Sequence, residues 1–142
     1  MRLKSAAAAL ATIVLFAAGA ARAEIIHFAA TLSGADEVPA NTSAGKGHFS
    51  AELETVEKSL VYRADYTGLS GPATMAHVHG PAAPGANGPP VIVMASPVTP
   101  ISGAQLLTDA QIADLLAGKW YFNVHTKDHP GGEIRGQITR QN

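Results

Sequence analysis

Short stretches of alternating apolar and polar residues constrain the fold of this chain more than any other feature. Every second residue from Phe49 is apolar in residues 47–53, and residues 59–66 repeat the pattern. The intervening residues 54–58 have the length of a hairpin connection. Because successive side chains of a β-strand point to opposite faces, the pattern predicts two half-buried antiparallel strands.

Further short apolar segments are separated by glycine, proline and asparagine, a spacing typical of β-sandwiches and barrels. They predict strands at residues 26–32, 74–79, 91–94, 120–125 and 133–139. Residues 80–90 contain four prolines and three glycines, which indicates a loop of restricted freedom.

One segment, residues 108–117, predicts an α-helix. Thr108 and Gln111 have capping-box spacing, and Gly118 is placed to end the helix. The predicted fold class is therefore all-β: an antiparallel Greek-key-like β-sandwich or barrel with one short connecting α-helix.

The first 23 residues have the organisation of a signal peptide. Arg2 and Lys4 precede an apolar run over residues 6–18, and Ala21-Arg22-Ala23 has the small-x-small form of a cleavage site. The run of about 13 residues is shorter than the roughly 20 that span a bilayer, although an uncleaved anchor is the alternative. We expect cleavage after Ala23 and a periplasmic or secreted protein with no membrane span.

The expected mature domain, residues 24–142, is mildly acidic and contains no cysteine. Cleavage removes three of the ten basic residues and none of the eleven acidic ones, which leaves a formal net charge of −4. That balance argues against nucleic acid or an anionic membrane surface as a partner. The absence of cysteine excludes disulfides, thiolate metal sites and cysteine nucleophiles.

The sharpest chemical feature is the segment Met75-Ala76-His77-Val78-His79. On a strand, Met75, His77 and His79 form one row with about 6.5 to 7 Å between neighbours, while Ala76 and Val78 point into the core. Two imidazoles in such a row are able to chelate one metal ion.

His125 is the third candidate ligand, and His129 lies four residues further along, beside a proline. Phe122 and Val124 are predicted to face the core, so His125 faces the other way. A site of three or four histidines without cysteine suits Cu(II), zinc or nickel, and Met75 or Met94 offers a thioether to Cu(I). Copper is the preferred ion and zinc the alternative.

Each of these features also has a purely structural interpretation. The histidines of an HxH pair on an exposed strand face often only contact solvent and bind no metal. Methionines such as Met75 more often fill cores than bind metals. His27 and His48 stand alone on weak strands and are expected at the surface. Asp36-Glu37 and Glu52/Glu54 are acidic pairs, but paired carboxylates are common on solvated faces and do not by themselves indicate catalysis.

Several segments taken together resemble the CHRD domain family, named after chordin. They are residues 28–39, 66–72, 76–82, 107–119, 121–126 and 130–137. The resemblance implies an extracellular β-sandwich module of the single-domain bacterial exported type. It does not imply growth-factor antagonism, because the cysteine-rich modules that accompany these domains in chordin are absent.

The HxH strand and the later His125 are also similar to the copper-ligand arrangement of Cu,Zn superoxide dismutase, another β-sandwich. That resemblance implies His77, His79 and His125 as ligands, with His129 as a candidate fourth. The zinc-ligand segment and the cysteine pair of that enzyme have no counterpart, and Arg135 does not align with its substrate-guiding arginine.

Three functions follow from these observations. The first is an exported copper-binding module for copper buffering, delivery or protection. The second is a metal-free interaction or adhesion module that binds another envelope or extracellular protein. The third is a copper enzyme of superoxide dismutase type, which needs an open coordination position.

Overall fold

The computed structural model describes residues 22–142 of the protein, and the predicted signal peptide lies almost entirely outside this range. The described residues form nine strands, one α-helix and a short 3₁₀ turn at Gly34–Asp36. In chain order these are β1 Ile25–Ser33, β2 Lys46–Glu54, β3 Ser59–Thr67, β4 Ala73–His79, β5 Pro90–Val93, β6 Ile101–Leu106, α1 Asp109–Leu116, β7 Tyr121–Thr126, β8 Ile134–Gln137 and β9 Thr139–Arg140.

The strands form one antiparallel sheet in the order β5-β4-β7-β8-β1-β2-β3-β6, with β9 also paired to β1. Strands β1, β2 and β3 follow one another as hairpins, and β8 returns to lie beside β1, which is a Greek-key-like connection. Phe49 of β2 stacks on Phe122 of β7 with ring centroids 5.0 Å apart. Since these strands are not neighbours in the sheet, the sheet folds over to enclose a core. The predicted all-β sandwich or barrel is confirmed.

The hairpin of β2 and β3 has the register that its alternation predicts. Phe49, Ala51 and Leu53 are buried, and they lie opposite Ala64, Tyr62 and Leu60. Full burial of a large apolar side chain contributes about 1.5 to 3 kcal/mol, so a slip of one residue would expose this whole row.

The α-helix is confirmed with the predicted cap. The Thr108 side chain accepts from the Gln111 backbone N–H, and the Gln111 side chain accepts from the Thr108 backbone N–H. Leu115 is buried against the core, and Gly118 follows the helix with a positive φ of 68°. Between residues 22 and 142 no helix combines the length and apolarity that a membrane crossing requires.

Strand β6 was not expected from the sequence, and the single strand expected at residues 133–139 is divided into β8 and β9. In β6 only Ile101 is buried, so the strand carries no alternating pattern. The division of the last segment falls at Ile138, whose side chain is buried and whose N–H donates to the Trp120 carbonyl at 2.8 Å.

Candidate metal centre

Strand β4 presents two histidines on the outer face of the sheet. Ala76 and Val78 are buried in the core, as predicted, which turns His77 and His79 to the opposite face. Strand β7 is paired with β4, and its whole length is buried because loops cover its outer side as well.

The register between β4 and β7 brings the third histidine beside the first two. Met75 lies opposite His125, and His77 lies opposite Asn123. Side chains directly across an antiparallel pair have Cβ atoms about 4.5 to 5.5 Å apart, so the two strands place all these groups on one patch.

His77, His79 and His125 form a cluster in which one ring nitrogen from each lies within 4.8 Å of the others. His77 Nδ1 is 3.1 Å from His125 Nε2. The ring centroids are 4.9 Å apart for His77 and His125, 5.3 Å for His77 and His79, and 6.2 Å for His79 and His125. Such separations allow one ion to contact all three rings after small side-chain adjustments.

Two backbone carbonyls fix the orientation of two rings. His79 Nδ1 lies 2.9 Å from the Gly88 carbonyl, and His125 Nδ1 lies 2.9 Å from the Pro130 carbonyl. A carbonyl only accepts, so each Nδ1 carries the proton and each Nε2 keeps its lone pair. His77 Nδ1 therefore donates to His125 Nε2 when no ion is bound.

All three imidazoles are held in the neutral form. Burial lowers the pKa of His77 from 6.5 to about 4, with further lowering by His125 and His79. Burial also lowers the pKa of His79 and of His125, against the opposing effect of their carbonyl partners. Neutral imidazole is the form that binds metals, so at pH 7 no proton has to leave the cluster.

The cluster is supported by a buried network that the sequence did not predict. The His79 ring stacks on Tyr121 at 4.9 Å, and the Arg135 guanidinium lies 4.0 Å from the centre of the same tyrosine ring. Arg135 Nε donates to Glu37 Oε2 at 3.0 Å. Glu37 is only 4% exposed, so it is not one of the solvated carboxylates that acidic pairs commonly contain.

The remaining residues from the sequence prediction lie at or beyond the edge of the cluster. Met75 is 46% exposed and lies next to the cluster through its pairing with His125. His129 is half-buried in the following loop and is not part of the three-histidine group. His27 and His48 are exposed, as expected.

A second polar cluster surrounds Glu133, away from the three histidines. Burial raises its pKa, but hydrogen bonds from Ser43, Thr126 and Ser70 outweigh that effect and lower the pKa to about 2. Its carboxylate oxygens accept from these side chains at 2.6 to 2.7 Å. Because the carboxylate is fully satisfied, the cluster ties three chain segments together and offers no free ligand.

Fold and site together define an antiparallel β-domain that carries one three-histidine cluster on its outer face within residues 22–142. Residues 28–138 match the CHRD domain family, and the chain belongs to that family. No curated protein and no solved structure matches the chain.

Proposed function

We propose that this protein is an exported β-domain that binds one copper ion through His77, His79 and His125. The observation that carries the proposal is the approach of three neutral ring nitrogens to within 4.8 Å of one another. A neutral histidine trio that is pre-positioned in this way lowers the reorganisation needed for metal binding.

The hydrogen bonds assign the ligand atoms. His79 and His125 bind through Nε2, since their Nδ1 atoms donate to backbone carbonyls. His77 binds through Nδ1, the atom that faces His125, and moves its proton to Nε2. Hydrogen bonds from the outer ring nitrogen to a carbonyl are the usual support for metal-binding histidines.

Copper is favoured by the donor set. The cluster contains no carboxylate and the chain contains no thiolate, so hard ions such as Mg²⁺ and Ca²⁺ have no suitable ligands. Among divalent ions that prefer imidazole, copper binds most tightly in the Irving–Williams order, and zinc is the main competitor. Met75 at the edge of the cluster adds a thioether that suits Cu(I).

Export is supported by the signal-peptide pattern of residues 1–23 and by the position of the first strand. β1 begins at Ile25, so cleavage after Ala23 leaves every described strand intact. A single ion on an exported domain fits copper buffering, delivery or protection in the periplasm or outside the cell.

The test is a copper titration of the mature protein against a competing chelator. We expect one tight site per chain. His125→Ala should weaken copper binding by about 100-fold or more, because it removes one of three ligands, and loss of a group that only hydrogen-bonds a ligand already lowers metal affinity by about 10- to 100-fold. His48→Ala, which changes an exposed strand histidine, should leave the affinity unchanged.

Equal copper affinity in His125→Ala and the unmodified protein would contradict the proposed site. Absence of any tight site would instead favour the metal-free interaction module. Since copper binding stabilises only the folded state, the melting temperature should rise with copper in the unmodified protein and in His48→Ala alike.

A redox role is the second candidate, favoured by the presence of only three histidine ligands. Three protein ligands leave a coordination position for an exogenous group, as catalytic metal sites require. Superoxide consumption by the copper-loaded protein, measured with a chelator that removes free copper, would support it; activity no higher than that of His125→Ala would exclude it.

A further inference from the structure

Asn123 occupies a position that the cluster does not explain. This β7 residue lies opposite His77 of β4 and opposite Arg135 of β8, and it is only 1% exposed. Its Oδ1 atom has no hydrogen-bond partner, and neither have His79 Nε2 and Glu37 Oε1. Leaving a buried polar atom without a partner is costly, so a protein rarely keeps several of them together without a ligand to satisfy them.

The Asn123 amide lies beside the Glu37 carboxyl group: burial raises the pKa of Glu37, and the Asn123 side chain is among the groups that oppose this effect. A Cβ atom added to Gly132 would lie 2.5 and 2.7 Å from the two Glu37 carboxylate oxygens and 2.8 Å from Asn123 Nδ2. The carboxylate and the amide nitrogen are therefore close to each other at Gly132. Because Nδ2 donates and a carboxylate accepts, this orientation is favoured, and Arg135 holds the carboxylate in place.

The amide oxygen is then left on the histidine side. The strand register places Asn123 on β7 across from His77, two residues before His79 on β4. The Asn123 side chain is also among the groups that oppose the lowering of the His79 pKa by burial. His79 Nε2 carries a lone pair because Nδ1 donates to Gly88. Two acceptors, an imidazole nitrogen and an amide oxygen, thus border the same space, and neither is able to donate to the other.

We propose that Asn123 Oδ1 accepts a hydrogen bond from a water molecule that is the non-histidine ligand of the bound metal. The inference rests on the proposed copper site. The metal satisfies His79 Nε2, and the water, which a metal ion makes a stronger donor, satisfies Oδ1. Asn123 is then a positioning residue for the bound water, and Glu37 and Arg135 keep its amide in the required orientation.

The water also defines where an external ligand would enter. A metal-bound water held by one neutral amide is exchangeable, since no charged group in the cluster fixes it. A small molecule with a donor group would therefore replace the water at this position and donate the same hydrogen bond to Asn123.

The experiment is pulsed EPR on the Cu(II)-loaded protein in D₂O, with inorganic Cu(II) as the only added metal. We expect coupling to imidazole nitrogens together with coupling to exchangeable deuterons of a bound water. Asn123→Leu, which keeps a similar volume but removes the acceptor, should retain the imidazole coupling and reduce the deuteron coupling. It should also weaken copper binding by about 10-fold, as is usual when a group that supports the metal ligands through hydrogen bonds is removed.

Gln105→Leu is the matched control, because Gln105 is an exposed amide residue on β6, a strand that contributes no residue to the cluster. Both couplings should persist in this variant. Unchanged deuteron coupling in Asn123→Leu would overturn the role of Asn123.

The unmodified protein provides a test that does not depend on the folding of a variant. Imidazole coupling with no deuteron coupling stronger than that of the exchangeable imidazole N–D groups would overturn the bound water and leave the copper site standing. Absence of imidazole coupling would overturn the copper site itself.

Discussion

Each clustered imidazole is neutral at pH 7 because burial opposes its charged form, and for His77 the neighbouring rings add to the effect. A proton and a metal ion compete for the same nitrogen atoms, so the pKa values determine how metal affinity depends on pH. Two properties should therefore depend on pH: the copper affinity and the stability of the metal-free fold.

The first concerns copper affinity. Three imidazoles with ordinary pKa values lose about tenfold in affinity per histidine for each pH unit below about 6.5. Because the pKa is lowered for all three histidines, and to about 4 for His77, the apparent affinity should fall far less steeply between pH 6.5 and 5. Competition titrations at several pH values measure this slope, and a steep loss that begins at pH 6.5 would contradict the buried neutral cluster.

The second concerns the metal-free fold. The pKa of His77 is 6.5 when unfolded and about 4 when folded, so below pH 6.5 the unfolded chain takes up the proton first. Stability from this group is complete above pH 6.5 and is lost as the pH falls towards 4. The loss should be on the order of 1 to 2 kcal/mol after allowance for partial exposure.

Urea denaturation at pH 6.5 and pH 4.5 measures this loss. His77→Asn should lose less stability than the unmodified protein over that interval, and His48→Asn should lose the same amount. Identical losses in all three proteins would show that His77 does not titrate as the structure implies.

Which single residues form the site was only partly predictable. The HxH spacing identified His77 and His79, because strand alternation is a local property that the sequence carries. Glu37 and Asn123 were missed as members of the site. Their role depends on the contact of Glu37 with Arg135, which is distant in sequence, and no local pattern encodes that contact.

Strand β6 adopts its conformation because it pairs with its neighbour β3. Gly103 of β6 lies opposite Tyr62 of β3, and a Cβ atom added at Gly103 would lie 2.3 Å from Tyr62 Oη. The tyrosine side chain thus lies directly across the glycine, and this close approach requires a residue without a side chain.

Gly103→Ala should therefore destabilise the fold by about 1 to 3 kcal/mol, the usual cost of overpacking, because the Tyr62 side chain has to move. Chemical denaturation measures the change. Gly71→Ala is the control, since nothing lies within 4 Å of a Cβ atom at that glycine. Equal stability of the two variants would show that the Tyr62 contact is not restrictive.

The difference between local patterns and pairing with a neighbour explains which elements the sequence predicted. β2, β3 and the α-helix carry alternation or a capping box, which are local signals. β6 is a sheet edge with one buried residue, so its strand conformation comes from pairing with β3 and not from its own pattern.

In the domain as a whole, the histidine cluster lies on two neighbouring strands near one end of the strand order. β4 and β7 carry the cluster, and the loops that contain Gly88 and Pro130 supply the carbonyls that orient its rings. The hairpins of β1, β2 and β3 contribute no ligand to it. The cluster thus depends on two strands and two loops.

The most direct test of the proposed copper site is the metal content of the protein, expressed with its signal sequence, purified without added metal or strong chelator and measured by elemental analysis. We expect one copper per chain in the unmodified protein and in His48→Ala, and little or none in His79→Ala. No copper in the unmodified protein, or equal copper in His79→Ala, would contradict a copper centre on these three histidines.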